Sequence, residues 1–99
     1  MKIEKLVSPQ VKYDLKEAAL WYNQAKSGLG QQFLGEVRQE VAQIIKNPLG
    51  HEVKYANIRI AFMKRFPYSI HFEYLETEEK LSILAVFHTS RNPRIWKER

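Results

Sequence analysis

The chain contains no cysteine. That excludes disulfides, thiolate zinc sites, iron–sulfur clusters and cysteine nucleophiles together, and it fits a reducing compartment. Aspartate occurs once, as Asp14, so a Ser-His-Asp triad finds no aspartate outside the first helical stretch. No run of about 18 apolar residues is present, and the opening MKIEKLVSPQ lacks the apolar stretch of an export signal. The expectation is a soluble cytoplasmic protein with no membrane association. Only four glycines occur, and Gly28-Leu29-Gly30 follows a helical stretch without the third glycine and the lysine of a phosphate loop. His51, His71 and His88 stand 20 and 17 positions apart with no helical i, i+4 pair, so no metal site and no cofactor is expected.

What is present is apolar, aromatic and basic. The 99 residues are 44% hydrophobic, with five Phe, five Tyr and two Trp, enough for one core and one domain spanning 1–99. Lysine and arginine exceed the acids to give a net charge of +5, which points to an acidic partner. The last twelve residues hold Arg91, Arg94, Lys97 and Arg99 against Glu98 alone, with Trp96 among them. A basic tail carrying one large aromatic suits a nucleic acid or an acidic protein surface.

Hydrophobic spacing sets the order of elements. Residues 2–7 read as a short strand, Ser8 as an N-cap and Pro9 as the first helical residue. Val11, Leu15, Ala18, Ala19 and Tyr22 form one helical stripe reaching about Lys26, and Phe33, Leu34, Val37, Val41, Ile44 and Ile45 form a second, closed by Asn47-Pro48. A turn as short as Ser27–Gly30 joins the two as an antiparallel hairpin. Beyond Gly50 the period changes to two: Ile58, Ile60 and Phe62 alternate with Arg59, Ala61 and Met63, and Tyr68, Ile70, Phe72 and Tyr74 with Ser69, His71 and Glu73. Leu81 to Phe87 is almost wholly apolar, as in a central strand covered on both faces. The predicted fold is α+β, in the order β-α-α-β-β-β, with the helical hairpin packed on one face of a small, mainly antiparallel sheet.

The chemistry left to this inventory is that of cations near strand ends. Arg59, Arg65, His88 and Arg91 are the catalytic candidates, with Lys54, Lys64 and Tyr68 nearby in sequence. Metal-free RNA cleavage needs such a set, because the ribose 2′-hydroxyl is the nucleophile and the protein need only move protons and stabilise the extra phosphate charge. Taken singly, each is also an ordinary solvated or capping charge. Trp21-Tyr22 and Phe66-Pro67-Tyr68 read as packing units rather than ligand platforms.

The series Asp14-Leu15, Ala18, Trp21-Tyr22, Gly28-Leu29-Gly30, Phe33-Leu34, Val37, Ile44, Asn47-Pro48, Phe66-Pro67-Tyr68-x-Ile70, Ala85-Val86-Phe87-His88 and Arg91-x-Pro93-x-x-Trp96 resembles the RelE/ParE superfamily of bacterial toxins. It runs through nearly the whole chain and is closer to the ParE-like, plasmid-stabilization branch. The resemblance implies a growth-inhibiting toxin of a type II toxin–antitoxin pair, neutralised by a cognate antitoxin, either as a homodimer when free or in a toxin–antitoxin hetero-oligomer. Two targets follow from it. ParE-like members inhibit DNA gyrase, and RelE-like members cut mRNA on the ribosome with basic residues and a C-terminal tyrosine. Trp96 stands about where that tyrosine would be, and an indole cannot donate a proton as a phenol can. The expectation is gyrase inhibition, with Arg91, Arg94, Trp96 and Lys97 as target-binding residues. Ribosome-dependent cleavage is the alternative, and a non-toxic nucleic-acid- or protein-binding relative the second.

Overall fold

A computed structural model describes residues 2–89. Strand β1 (Glu4–Val7) leads into helix α1 (Pro9–Ala25), whose first turn is closed as its sequence implies: Ser8 is extended and its hydroxyl accepts from the Val11 N–H at 3.3 Å. Helix α2 (Leu29–Lys46) returns beside α1 and stops at Asn47, with a 3-10 turn at Pro48–Gly50. Four strands follow: β2 (Val53–Tyr55), β3 (Ile58–Phe62), β4 (Tyr68–Leu75) and β5 (Lys80–His88). The sheet order is β1-β5-β4-β3-β2, with β1 parallel to β5 and every other pair antiparallel. The arrangement is therefore the predicted α+β fold with one strand more, the short edge strand β2.

Two glycines make the hairpin possible, for different reasons. Gly28 sits at φ 88°, in the left-handed region that other residues enter only at a cost. Gly30 lies where α2 starts against α1, its N–H donating to the Asn23 side-chain oxygen at 2.8 Å. A Cβ there would collide with the Ala19 carbonyl and the Asn23 amide. Gly30→Ala is thus expected to cost about 1–3 kcal/mol by forcing the helices apart. A urea midpoint equal to that of the parent would show that the contact yields freely.

The core lies between hairpin and sheet. Val11 and Tyr22 of α1 and Phe33, Val37 and Ile44 of α2 meet Ile70 and Phe72 of β4 and Leu81, Ile83 and Val86 of β5. Residues paired across neighbouring strands share a face. Ala61 pairs with Ile70 and Arg59 with Phe72, so those two side chains of β3 point to the helices, whereas Ile58, Ile60 and Phe62 point away. On the far face Ala85 and Phe87 stand beside His71 and Ser69, and all four are at most 3% exposed. The apolar run of β5 is accordingly covered on both sides, although β4 rather than β5 is the middle strand. Leu84 has no partner where the β4–β5 register shifts between His71 and Phe72.

Candidate functional site

One end of the sheet gathers the conspicuous sequence units. In the 63–68 loop, Phe66 accepts from the Tyr68 N–H at 2.7 Å, and Tyr68 accepts from the Met63 N–H at 2.9 Å. The rings of Phe66 and Tyr68 both pack on Tyr22 and Phe33, with centroids 5.0–6.3 Å apart. The aromatic unit therefore ties this loop to both helices. The end of β5 is tied to the loop in turn, since Thr89 N–H donates to the Pro67 carbonyl at 2.7 Å. His88 pairs in register with Tyr68, edge to face at 5.2 Å. The two line a cleft of about 210 Å3 with Asp14, Glu17, Ala18 and Val86. Residues 90–99, with Arg91, Arg94, Trp96 and Lys97, follow from here and lie outside the described residues.

The remaining candidates are spread out. Arg65, on the same loop, is exposed and ion-paired to Glu36 of α2 at 3.3 Å, and Lys64 beside it lines a polar cleft with Gln39 and Glu40. Arg59 sits four rows from His88 along the strands, about 13 Å at the usual strand rise. Its guanidinium donates to the His51 carbonyl, fastening the segment after α2 to the sheet. Lys54 pairs with Glu52 at 3.1 Å. Of the named cations and His88, the fold thus brings Arg65 and His88 to one end, and holds Arg59 and Lys54 towards the other. Among the described residues no three histidine, aspartate or glutamate side chains come close enough to hold a metal ion, and no helix is long and apolar enough to cross a membrane.

Trp21, read as a packing residue, keeps 63% of its surface exposed while touching Tyr22 edge-on. The sequence reading missed the polar centre of the far sheet face. His71 is fully buried there, its Nδ1 2.8 Å from the Tyr55 hydroxyl and its Nε2 3.0 Å from Ser69 Oγ. Alternation marked His71 only as lying opposite the core, and nothing local ties it to Tyr55 sixteen positions earlier. Burial lowers the imidazole from 6.5 to about 4. In the unfolded chain this histidine takes up its proton near pH 6.5, in the folded chain only near 4. The folded state therefore loses stability as pH falls from 6.5 towards 4, and the loss levels off below that. Unfolding free energies from urea titrations at about pH 7.5 and about pH 5.5 should differ by about 1 kcal/mol, the lower pH being the less stable. His71→Leu, if it folds, should abolish that component.

Comparison with known proteins adds family and fold. A family model described as the ParE toxin of the type II toxin–antitoxin system, parDE, matches residues 6–93. The comparison with curated proteins gives no match. Among solved structures, the isolated E. coli RelE toxin superposes with a TM-score of 0.66 at 6% identity, covering 98% of this chain and 95% of the other. A chain of the chromosomal ParDE toxin–antitoxin system from P. aeruginosa superposes with a TM-score of 0.67 at 15% identity, covering 89% and 97%. At these identities the superpositions show a shared fold.

Proposed function

Because the chain belongs to the ParE family of type II toxins, we propose that it is a toxin acting on DNA gyrase, silenced by a cognate antitoxin, rather than a nuclease acting on mRNA. The observation that carries the choice of target is the distribution of cations. A sheet that cleaves RNA must set positive side chains and a proton donor around one phosphate, within about 3 Å of its oxygens. Among the described residues, the centre of the face turned away from the helices is Ile58, Ile60 and Phe62 of β3, Ser69 and His71 of β4, and Ala85 and Phe87 of β5, all buried except Phe62. None of these is cationic at neutral pH. Arg59 points to the helix side and holds a backbone carbonyl. His88 is four rows away from it. The surface left for a protein target is the end where β5 stops and the basic segment with Arg91, Arg94, Trp96 and Lys97 begins. The net charge of +5 favours a small acidic antitoxin, which would gain order on binding.

Purified protein is expected to block supercoiling of relaxed plasmid by gyrase while leaving ribosome-bound mRNA intact. Arg91→Ala and Trp96→Ala should each relieve growth inhibition in a folded protein, and His88→Ala should have a modest effect. Ribosome-dependent cleavage that Arg65→Ala abolishes would instead establish the nuclease, for which loss of the acid or base costs about 10²–10⁴-fold. Co-expression with a cognate antitoxin, if a neighbouring reading frame encodes one, should restore growth and yield a stable complex. Failure of any neighbouring product to bind would count against the toxin–antitoxin pairing.

A further inference from the structure

The space between hairpin and sheet is filled unequally along its length. Next to the 63–68 loop the rings of Tyr22, Phe33, Phe66 and Tyr68 pack on one another. Towards the start of α1 and the end of α2 the facing side chains are aliphatic, and most of them are valine. Side chains that short do not close the gap, and a cavity of about 290 Å3 remains between α1, α2, β1 and β5. That is close to the lower size of pockets that take small ligands. Its floor is Val11, Val37, Ile83 and Val86, each at most 5% exposed. Among the described residues no hydroxyl, amide, carboxylate or aromatic side chain lines it. Its only polar groups are the side chains of Lys5 on β1 and Arg38 on α2, which reach its mouth from opposite walls. Both residues are exposed, and neither is ion-paired among the described residues.

We propose that this cavity binds the hydrocarbon chain of an unbranched fatty acid, whose carboxylate is held at the mouth by Lys5 and Arg38. The wall chemistry selects the chain. A hydrocarbon brings in no polar group that an aliphatic lining would leave unpaired, whereas an extended peptide brings an N–H and a C=O at every residue. A helix pairs those groups itself. One turn of it, about 10 Å across with its side chains and about 5.4 Å long, takes up roughly 420 Å3, so only its side chains would enter the opening. The charges at the mouth select the head group. Both are positive with no acid beside them in the lining, and a guanidinium donates two parallel hydrogen bonds to a carboxylate. A cationic or neutral amphiphile of the same length has the chain contacts alone.

Titration of the full chain with hexanoate, octanoate, decanoate and dodecanoate tests this, followed by calorimetry and by the methyl resonances of Val37, Val41 and Ile83. Each added methylene should tighten binding about fourfold until the cavity is full, and the three sets of methyl resonances should shift together. Lys5→Gln combined with Arg38→Gln changes exposed positions only, so the variant should fold, and it should weaken decanoate about tenfold. Decylamine, of the same length and opposite charge, should bind at least about tenfold more weakly than decanoate. An affinity independent of chain length, decylamine binding as tightly as decanoate, or a double variant that binds like the parent would each overturn the proposal. So would methyl resonances that none of the four acids moves and that shift only when the chain dimerises or an antitoxin is added, because the cavity would then belong to a protein.

Discussion

Ile70→Asp is expected to leave the chain unfolded at neutral pH. Ile70 is fully buried at the middle of the middle strand, flanked by Ala61 of β3 and Val86 of β5 on the face that meets the helices. Among the described residues, its core neighbours are apolar or aromatic. A carboxylate there must stay charged without a partner or take up a proton, and either course costs several kcal/mol on top of the lost isoleucine burial. The whole domain has roughly 5–15 kcal/mol to lose. Near-ultraviolet circular dichroism should show no tertiary signal and heating no cooperative transition. The control, Ile70→Val, should cost about 0.5–1.5 kcal/mol and keep both. A cooperative melt within a few degrees of the parent for the aspartate variant would mean that β4 is not held against the hairpin as described.

Phe33→Ala is the second large effect, at about 3–5 kcal/mol. Phe33 is fully buried, and its ring meets those of Tyr22, Phe66 and Tyr68 at 5.2, 5.2 and 5.0 Å. Removing it takes the shared wall from the aromatic unit that anchors the 63–68 loop to the hairpin. That loop carries Arg65 and accepts the Thr89 N–H, so the end of β5 should loosen with it. Toxicity should therefore fall in a variant altered at a buried position. Phe33→Leu, which refills most of the volume, should recover much of the stability. Urea denaturation of the three proteins measures the cost directly. A loss below about 1 kcal/mol for the alanine variant would indicate a core that collapses onto the gap.

The helices and their ends were legible because their causes are local. Val11, Leu15 and Tyr22, then Phe33, Val37 and Ile44, repeat at helical spacing, and the Ser8 cap, the left-handed Gly28 and Pro48 punctuate them within a few residues. The motif series was legible for a related reason, since each of its pieces is short and their order along the chain carries the family. Facing was a different matter. Alternation through residues 58–63 yields two apolar sets, Ile58, Ile60 and Phe62 on one side and Ala61 and Met63 on the other. A period of two says that a strand has two faces, and it is silent about which one a helix covers. The pairing of Ala61 with Ile70 settled that. Strand β2, three residues long, is too short to show a period at all; it exists because β3 offers an edge and Tyr55 finds His71 two strands away. The fate of the cations is likewise non-local. Arg65 meets Glu36 from a different element, and Arg59 meets a carbonyl beyond the end of α2. Charge along the chain supplies candidates, whereas the order of strands and the docking of the hairpin choose which of them stand together, because those partners are distant in sequence and meet only once the sheet has formed.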